Sequence, residues 1–215
     1  MDLVLKVRAR VSSVLQALTD QLKIDAQSTP RGEIIVVQGM PERAELVRMG
    51  NSWQGQLSTH VAPLAAVPTT TSGLTLYNGE PAGGKSYILE AAYAWCDTSI
   101  AATSVLALFG MLNSTKQSNV QTGALAIKSL NGKPNYGGKG TLTAGATVTN
   151  EGWLPVGNSQ PSSGTTTVGL SVYAAMEGLF IVPPQCAFSL HALAEAAAGD
   201  VFLGLIWHEV QLSQN

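Results

Sequence analysis

Short apolar runs, broken by small and polar residues, dominate the chain from about residue 51 onward. Clusters of Gly, Pro, Asn, Ser and Thr separate these runs at intervals of roughly a dozen residues, which is typical of β-sandwiches and barrels. We therefore expect a mainly β protein in which residues 51–215 form one antiparallel β-sandwich of about eight or more strands. The pattern predicts strands at Leu74–Tyr77, Ser86–Trp95, Ser104–Leu112, Ala124–Leu130, Thr141–Thr149, Val168–Ala175, Leu179–Val182, Ala187–Leu193 and Val201–Leu212.

The C-terminal strands show this pattern most clearly. Within Ala187–Leu193, apolar residues alternate with Ser189 and His191, which predicts a strand with one buried and one solvated face. Val201–Ile206 is apolar on both faces, as a central strand would be.

The first 50 residues follow a different pattern, and we assign them to an N-terminal helical or extended arm. Pro41–Gly50 predicts a short helix, with proline in its first turn and glycine just after its end. Upstream, although residues 3–11 also alternate like a strand, apolar residues recur at the three- and four-residue spacing of a helix, at Val7, Val11, Val14, Leu15, Leu18 and Leu22.

A short isolated helix is marginal in water, so the apolar stripe of this arm must be covered. The cover is the sandwich of the same chain, the equivalent helices of sister subunits, or the surface of a scaffold, and we favour the last two. Under this hypothesis the residues that anchor the chain are Val11, Val14, Leu18 and Leu22.

Charge is scarce in this chain. Charged residues make up 12% of it, against roughly 25% in an ordinary soluble domain. A surface with few charges provides little repulsion between copies, so we expect partners to cover much of it. The net charge is −2 and Lys and Arg are not clustered, so we expect no nucleic-acid partner.

Other sequence features bear on compartment. Cys96 and Cys186 lack the C-x-x-C spacing of a zinc or redox site, and whether they pair stays open. The N-terminal residues mix acids and bases into an apolar run, which is unlike a signal peptide. Apolar runs stay below the ~18 residues of a membrane-spanning helix. We expect assembly in a reducing cytoplasm and no membrane partner.

One motif belongs to nucleotide-binding proteins. Gly79–Ser86 matches G-x-x-x-x-G-K-[ST], in which backbone N–H groups and Lys85 hold phosphates and Ser86 binds magnesium. The surrounding pattern argues against that function, because Thr75 and Asn78 make the preceding strand amphipathic and no later apolar strand ends in an acid suited to magnesium. The motif is followed by alternation typical of a strand, with one side formed by Tyr87, Leu89, Ala91, Tyr93 and Trp95. We expect a glycine-rich hairpin loop between two strands.

The histidines do not show a metal-binding spacing. The three histidines, His60, His191 and His208, could form a metal site with Glu195 and Glu209 if the last two strands paired. We expect all three histidines to lie on strand surfaces instead. Acidic residues occur singly, so nothing singles out a catalytic pair. We predict a non-enzymatic protein with no catalytic residues, no metal and no cofactor.

The four tryptophans allow a carbohydrate platform. Trp95 and Trp207 end apolar strands, so we expect them in the core or at an interface, and Trp153 lies in a turn and is the best candidate for exposure.

Two segments resemble virion proteins of tailed phages. Gly73–Trp95 (GLTLYNGEPAGGKSYILEAAYAW) looks like a recurring virion-protein segment in which a strand ending in Asn precedes a glycine-rich turn and a second strand. Gly178–Leu212 is similar to the closing strands of jelly-roll-like capsid decoration and head-fibre proteins. The resemblance carries no catalytic residues, and the N-terminal arm is not part of it.

The resemblance implies a jelly-roll-like sandwich that forms a homotrimer and binds the major capsid protein, or another virion protein, as cement on the capsid surface. Exposed aromatic residues beside a groove would instead favour a receptor- or glycan-binding fibre or tail module. A phosphate site at Gly83–Ser86 would favour a P-loop nucleotide-binding protein.

Overall fold

In the computed structural model, the chain is a mainly β protein in which two antiparallel sheets pack face to face, as predicted. The structure describes residues 42–96, 105–117, 120, 125–159, 170–194 and 199–212. The elements are α1 (Glu42–Met49), β1 (Ser52–Gln56), β2 (Leu74–Asn78), β3 (Ser86–Cys96), β4 (Leu106–Asn113), β5 (Ile127–Ser129), β6 (Gly140–Ala144), β7 (Leu154–Ser159), β8 (Ser171–Ala175), β9 (Ile181–Val182), β10 (Ala187–Ala194) and β11 (Val201–Val210).

The strand order is that of a jelly roll. Sheet 1 has the order β5-β1-β11-β3-β8, with β9 also pairing with β3, and sheet 2 has the order β6-β2-β10-β4-β7. From β1 to β6, successive strands alternate between the sheets, which is why each connection crosses the sandwich. Without β5, β6 and β9, the remaining eight strands form two four-stranded sheets in jelly-roll order.

The core lies between the sheets and is built around β10 and β11, which are central strands of their sheets. The prediction that Val201–Ile206 is a central strand is confirmed. Phe188 on β10 packs against Phe180 with ring centroids 5.1 Å apart, and Trp207 on β11 lies 6.4 Å from the ring of Tyr87. Burial of these large apolar side chains is the main favourable contribution to folding.

The short helix predicted at Pro41–Gly50 is present as α1, and its C-terminus follows the sequence signal. Gly50 has φ of 77°, a left-handed conformation that glycine adopts without steric cost. The N–H of Gly50 donates to the carbonyl of Val47 and the N–H of Asn51 donates to that of Leu46. This pair of hydrogen bonds is a Schellman motif, which ends the helix.

Four strands differ from the sequence-based expectation. β1 and β7 were not predicted, because neither has a clear apolar alternation. The face of β10 that carries Ser189 and His191 is not solvated, since Ser189 is 0% and His191 is 5% exposed. The predicted single side of β3 is also wrong. A register shift opposite Ile206 and Trp207 inserts Glu90 as an extra residue, so Tyr87 and Leu89 lie in the core.

The chain divides into two compact units, Met1–Glu45 and Leu46–Asn215. The predicted anchor residues Val11, Val14, Leu18 and Leu22 lie outside the described residues, so the arm at residues 1–50 stays a prediction. In the described part of the chain, the structure has no helix that is both long and apolar enough to span a membrane.

Candidate functional site

The P-loop-like motif forms a loop between strands. Residues 79–85 connect β2 of sheet 2 to β3 of sheet 1, and Ser86 begins a strand. The prediction of a loop between two strands is therefore confirmed, but the loop is not a hairpin, since the two strands belong to different sheets. In a P-loop the glycine-rich segment opens a helix whose N-terminus faces the phosphates, and this loop opens a strand instead.

Protein groups already bind the polar atoms of this loop. The side-chain amide of Asn78 donates to the carbonyls of Lys85, at 2.9 Å, and Val182, at 3.0 Å. The amide of Gln211 donates to the carbonyl of Gly83 at 2.6 Å. The ammonium of Lys85 lies 3.8 Å from the carboxylate of Glu209. Lys85 is thus engaged in an ion pair within the chain.

Glu209 belongs to a buried polar cluster that the sequence did not reveal. Its carboxylate accepts a hydrogen bond of 2.5 Å from the hydroxyl of Tyr136, which in turn lies 3.3 Å from the hydroxyl of Tyr87. The Tyr136 hydroxyl also accepts the N–H of Gly140 at 2.9 Å. Burial raises the pKa of Glu209, and the hydrogen bond from Tyr136 and the positive charge of Lys85 oppose that rise. Burial likewise raises the pKa of both tyrosines, which therefore stay protonated.

The histidines do not converge. His191 lies on β10 in sheet 2 and His208 on β11 in sheet 1, so the strand pairing that a metal site required does not occur. Both are buried on their strands, at 5% and 4% exposure, which corrects the expectation of surface histidines. His208 lies 2.7 Å from the hydroxyl of Ser52 and 3.7 Å from Glu90. His60 lies 3.5 Å from Asp200.

Across the described ranges, His, Cys, Asp and Glu residues form no group of three or more that could hold a metal ion. Glu195, the remaining candidate ligand, lies outside those ranges. Cys96 lies in the core, and the thiol of Cys186 donates to the carbonyl of Ser114 at 3.4 Å.

Aromatic side chains line the outer face of sheet 1. Trp95 is 49% and Tyr173 is 67% exposed, and Tyr93 is partly exposed between them. The ring of Trp95 stacks on that of Phe202 with centroids 5.6 Å apart. We call Tyr93, Trp95, Tyr173 and Phe202 the aromatic face. Trp95 is thus exposed outside the core, so of the two places expected for it only an interface stays a prediction. Trp153, the residue expected to be most exposed, is partly buried against a small cluster.

A groove of about 260 Å³ begins where the aromatic face meets β1 and β5. The register places Gln56 of β1, Gly204 of β11, Tyr93 of β3 and Tyr173 of β8 in one row across the sheet. The groove is lined by Gln54, Gly55, Gln56, Leu57, Ser58, Tyr93, Ala126 and Lys128.

A second surface lies on the opposite side of the sandwich, where β7 and β8 are the outermost described strands of their sheets. The two strands pack together, because a Cβ at Gly157 would lie 3.0 Å from that of Ala174. Leu154 on β7 is 55% exposed and Leu179, in the turn after β8, is 76% exposed. We call this surface the apolar edge and define it by Leu112, Leu154, Leu179 and Ile181, each at least 37% exposed.

The fold and these two surfaces define a jelly-roll protein with one polar-aromatic face and one apolar edge. The sequence matches no protein-family model, and a search of the curated proteins gives no match either.

Proposed function

We propose that this chain is a non-enzymatic structural protein of a tailed-phage particle, a capsid decoration protein that binds and stabilises the head shell as an oligomer. In this proposal three copies form a closed ring, the N-terminal arm anchors the ring to the shell, and the sandwich is displayed. The observation that carries the proposal is the apolar edge of a chain with only 12% charged residues.

The apolar edge has the properties of a surface that another protein covers. Leu112 lies opposite Phe188 on β10, and Leu154 lies opposite Gly110, against which the Phe188 ring packs. Phe180, the neighbour of Leu179, packs on the same ring. Leu112 and Leu154 therefore each lie opposite Phe188 or a residue that contacts its ring, and Leu179 precedes another such residue. Exposed apolar side chains grouped in this way are typical of interaction sites.

Edge strands strengthen this argument. Within the described ranges, β7 and β8 have no strand on their outer sides, so their backbone groups are available to a neighbouring chain. Pro155 in β7 removes one donor from that edge, which limits open-ended strand addition. A side-by-side contact of limited extent, repeated around an axis, closes into a ring.

The assignment to a virion is supported by the resemblance of Gly73–Trp95 and Gly178–Leu212 to virion segments. The jelly roll is also an architecture of viral capsid domains, although the same fold serves lectins and other proteins.

The oligomer is tested by light scattering coupled to size-exclusion chromatography. We expect the full chain to be a trimer and Leu154→Asp combined with Leu179→Asp to be a folded monomer, because each carboxylate would be desolvated in the contact. Val67→Asp is the matched control, since Val67 is 41% exposed and lies in a loop away from the edge. An unchanged trimer in the double variant would contradict the assignment of the edge.

The place on the particle is tested by quantitative mass spectrometry of purified phage whose genome encodes this sequence. A decoration protein is expected in a copy number comparable to that of the major capsid protein. A copy number far below it would put the chain on the neck or tail, and its absence from the particle would refute a virion role.

A further inference from the structure

We propose that the groove and the aromatic face together form a binding site for an oligosaccharide. This inference is independent of the virion assignment, because it rests only on the chemistry of the outer face of sheet 1. The groove, at about 260 Å³, is slightly smaller than the roughly 300–1,000 Å³ of pockets that enclose drug-sized molecules. It therefore suits one end of a longer ligand that continues across the sheet.

A glycine in the middle of a central strand shapes this surface. Gly204 lies on β11 between Gln56 and Tyr93, and a Cβ at this position would overlap the ring of Tyr93. The missing side chain lets the ring extend from β3 over β11 towards β1. There the Tyr93 hydroxyl donates to the side-chain oxygen of Gln56 at 3.2 Å. This hydrogen bond fixes the ring as one wall of the groove.

The polar groups of the groove match sugar hydroxyls. Gln54 and Gln56 each offer a carboxamide that both donates and accepts, and Ser58 adds a hydroxyl. A sugar hydroxyl also donates and accepts, so neighbouring hydroxyls of one ring can pair with a carboxamide. Among the residues that the structure describes, Lys128 is the one charged residue that lines the groove. A nucleic acid would need several cations along its phosphates, so this lining favours an uncharged or weakly charged ligand.

The aromatic side chains extend the site beyond the groove. Tyr173 lies directly opposite Tyr93 in the register, and Trp95 lies two residues further along β3. Neighbouring strands are about 4.8 Å apart, so the row from β1 to β8 spans about 14 Å, which is longer than a single sugar ring. The C–H groups on the face of a pyranose carry partial positive charge and pack on the negative face of an aromatic ring.

The composition of this face distinguishes an oligosaccharide from a second copy of the chain. The apolar edge supplies exposed leucines and isoleucine, whereas the groove is lined by amides and a hydroxyl beside tyrosine. Amides buried in a protein interface without partners would cost free energy, and a ligand rich in hydroxyls provides those partners.

The test uses the full-length protein on an array of neutral and acidic oligosaccharides, followed by calorimetry with each ligand that binds. We expect wild type to bind, and we expect Gln56→Ala, Trp95→Ala and Tyr173→Ala each to weaken binding by about tenfold or more, which corresponds to about 1.4 kcal/mol. Val67→Ala is the matched control, because Val67 is an exposed apolar residue that lies in a loop and lines neither the groove nor the aromatic face. Its affinity should equal that of wild type.

Gly204→Ala provides a separate test, since displacement of the Tyr93 ring should abolish binding. Circular dichroism shows whether this variant folds. If it does not fold, the variants of the exposed residues Gln56, Trp95 and Tyr173 still test the proposal. Wild type that binds no oligosaccharide overturns the proposal. The proposal is also overturned if all these variants bind as tightly as wild type. If wild type binds no oligosaccharide and the variants of the aromatic face dissociate the oligomer, the face is a contact between copies of the chain.

Discussion

Replacing Glu209 and Tyr136 separately tests the buried polar cluster that contacts the inter-sheet loop, by which we mean residues 79–85 between β2 and β3. The Tyr136 hydroxyl donates to Glu209 and accepts from Gly140, so Tyr136→Phe leaves two buried groups without their partner. Each buried group left unpaired costs about 1–3 kcal/mol, so we expect Tyr136→Phe to lower the free energy of unfolding by at least the cost of one such group. Glu209→Gln keeps an oxygen that accepts the Tyr136 hydroxyl, and we expect it to cost less.

The two variants also differ in their pH dependence. Burial raises the pKa of Glu209 above its ordinary value of 4.5, so the folded chain holds a proton that the unfolded chain releases. The contribution of Glu209 to the stability of wild type should therefore decrease as the pH rises from about 4.5 through the raised folded pKa. A tenfold difference in proton affinity between the two states corresponds to about 1.4 kcal/mol. Glu209→Gln cannot titrate and should lose this component.

The measurement is urea unfolding between about pH 4 and pH 7, followed by tryptophan fluorescence, since Trp53 and Trp207 are buried in the core. Tyr77→Phe is the matched control: Tyr77 is also buried, and its hydroxyl donates to Gln185 at 2.9 Å outside the cluster. Equal pH slopes in wild type and Glu209→Gln would refute the linkage argument. A Tyr136→Phe cost no larger than that of Tyr77→Phe would refute the argument about the cluster.

Three further predictions address the arm, the buried histidine and the inter-sheet loop. Deleting residues 1–27 should leave a sandwich that is folded by circular dichroism but no longer binds its particle or no longer assembles. An unfolded product would place the helix in the core of its own domain, and normal binding would place the anchor in the sandwich. Burial lowers the pKa of His191, so the folded chain keeps it neutral and stability should fall as the pH drops below about 6.5, whereas His191→Gln should reduce that acid limb in urea titrations. Calorimetry with ATP and magnesium should detect no micromolar binding to wild type, and micromolar binding that Lys85→Ala abolishes would contradict our interpretation of the loop.

Strands with strong alternation were predictable from sequence because burial on one face of a sheet imposes a period of two. β1 and β7 escaped prediction for a different reason in each case. β1 is made of Ser, Trp, Gln and Gly, and it is held by pairing with β5 and β11. β7 contains Pro155 and Gly157, which indicate a turn in an isolated sequence but are tolerated in an edge strand.

The side chains that face outward on β3 could not be assigned from alternation alone. One extra residue at Glu90 reverses the phase of the pattern, so Tyr87 lies in the core while Tyr93 and Trp95 lie on the outer face. Gly204 was a usable signal, because a glycine inside an apolar strand marks a close approach of another group. The cluster around Glu209 gave no signal, since Tyr136 is 73 positions away in the sequence.

The arrangement of the two surfaces allows one chain to assemble and to bind a ligand at the same time. The groove lies at the β5–β1 side of sheet 1 and extends to Tyr93 of β3, whereas Leu154 lies on β7 of sheet 2 and Leu179 follows β8. A neighbour that covers Leu154 and Leu179 would leave the groove open. Tyr173 lies on β8, the end strand of sheet 1 on the side of the apolar edge. Tyr173→Ala therefore separates the two roles: it should weaken oligosaccharide binding while the trimer stays intact, because the leucines that hold the trimer are unchanged.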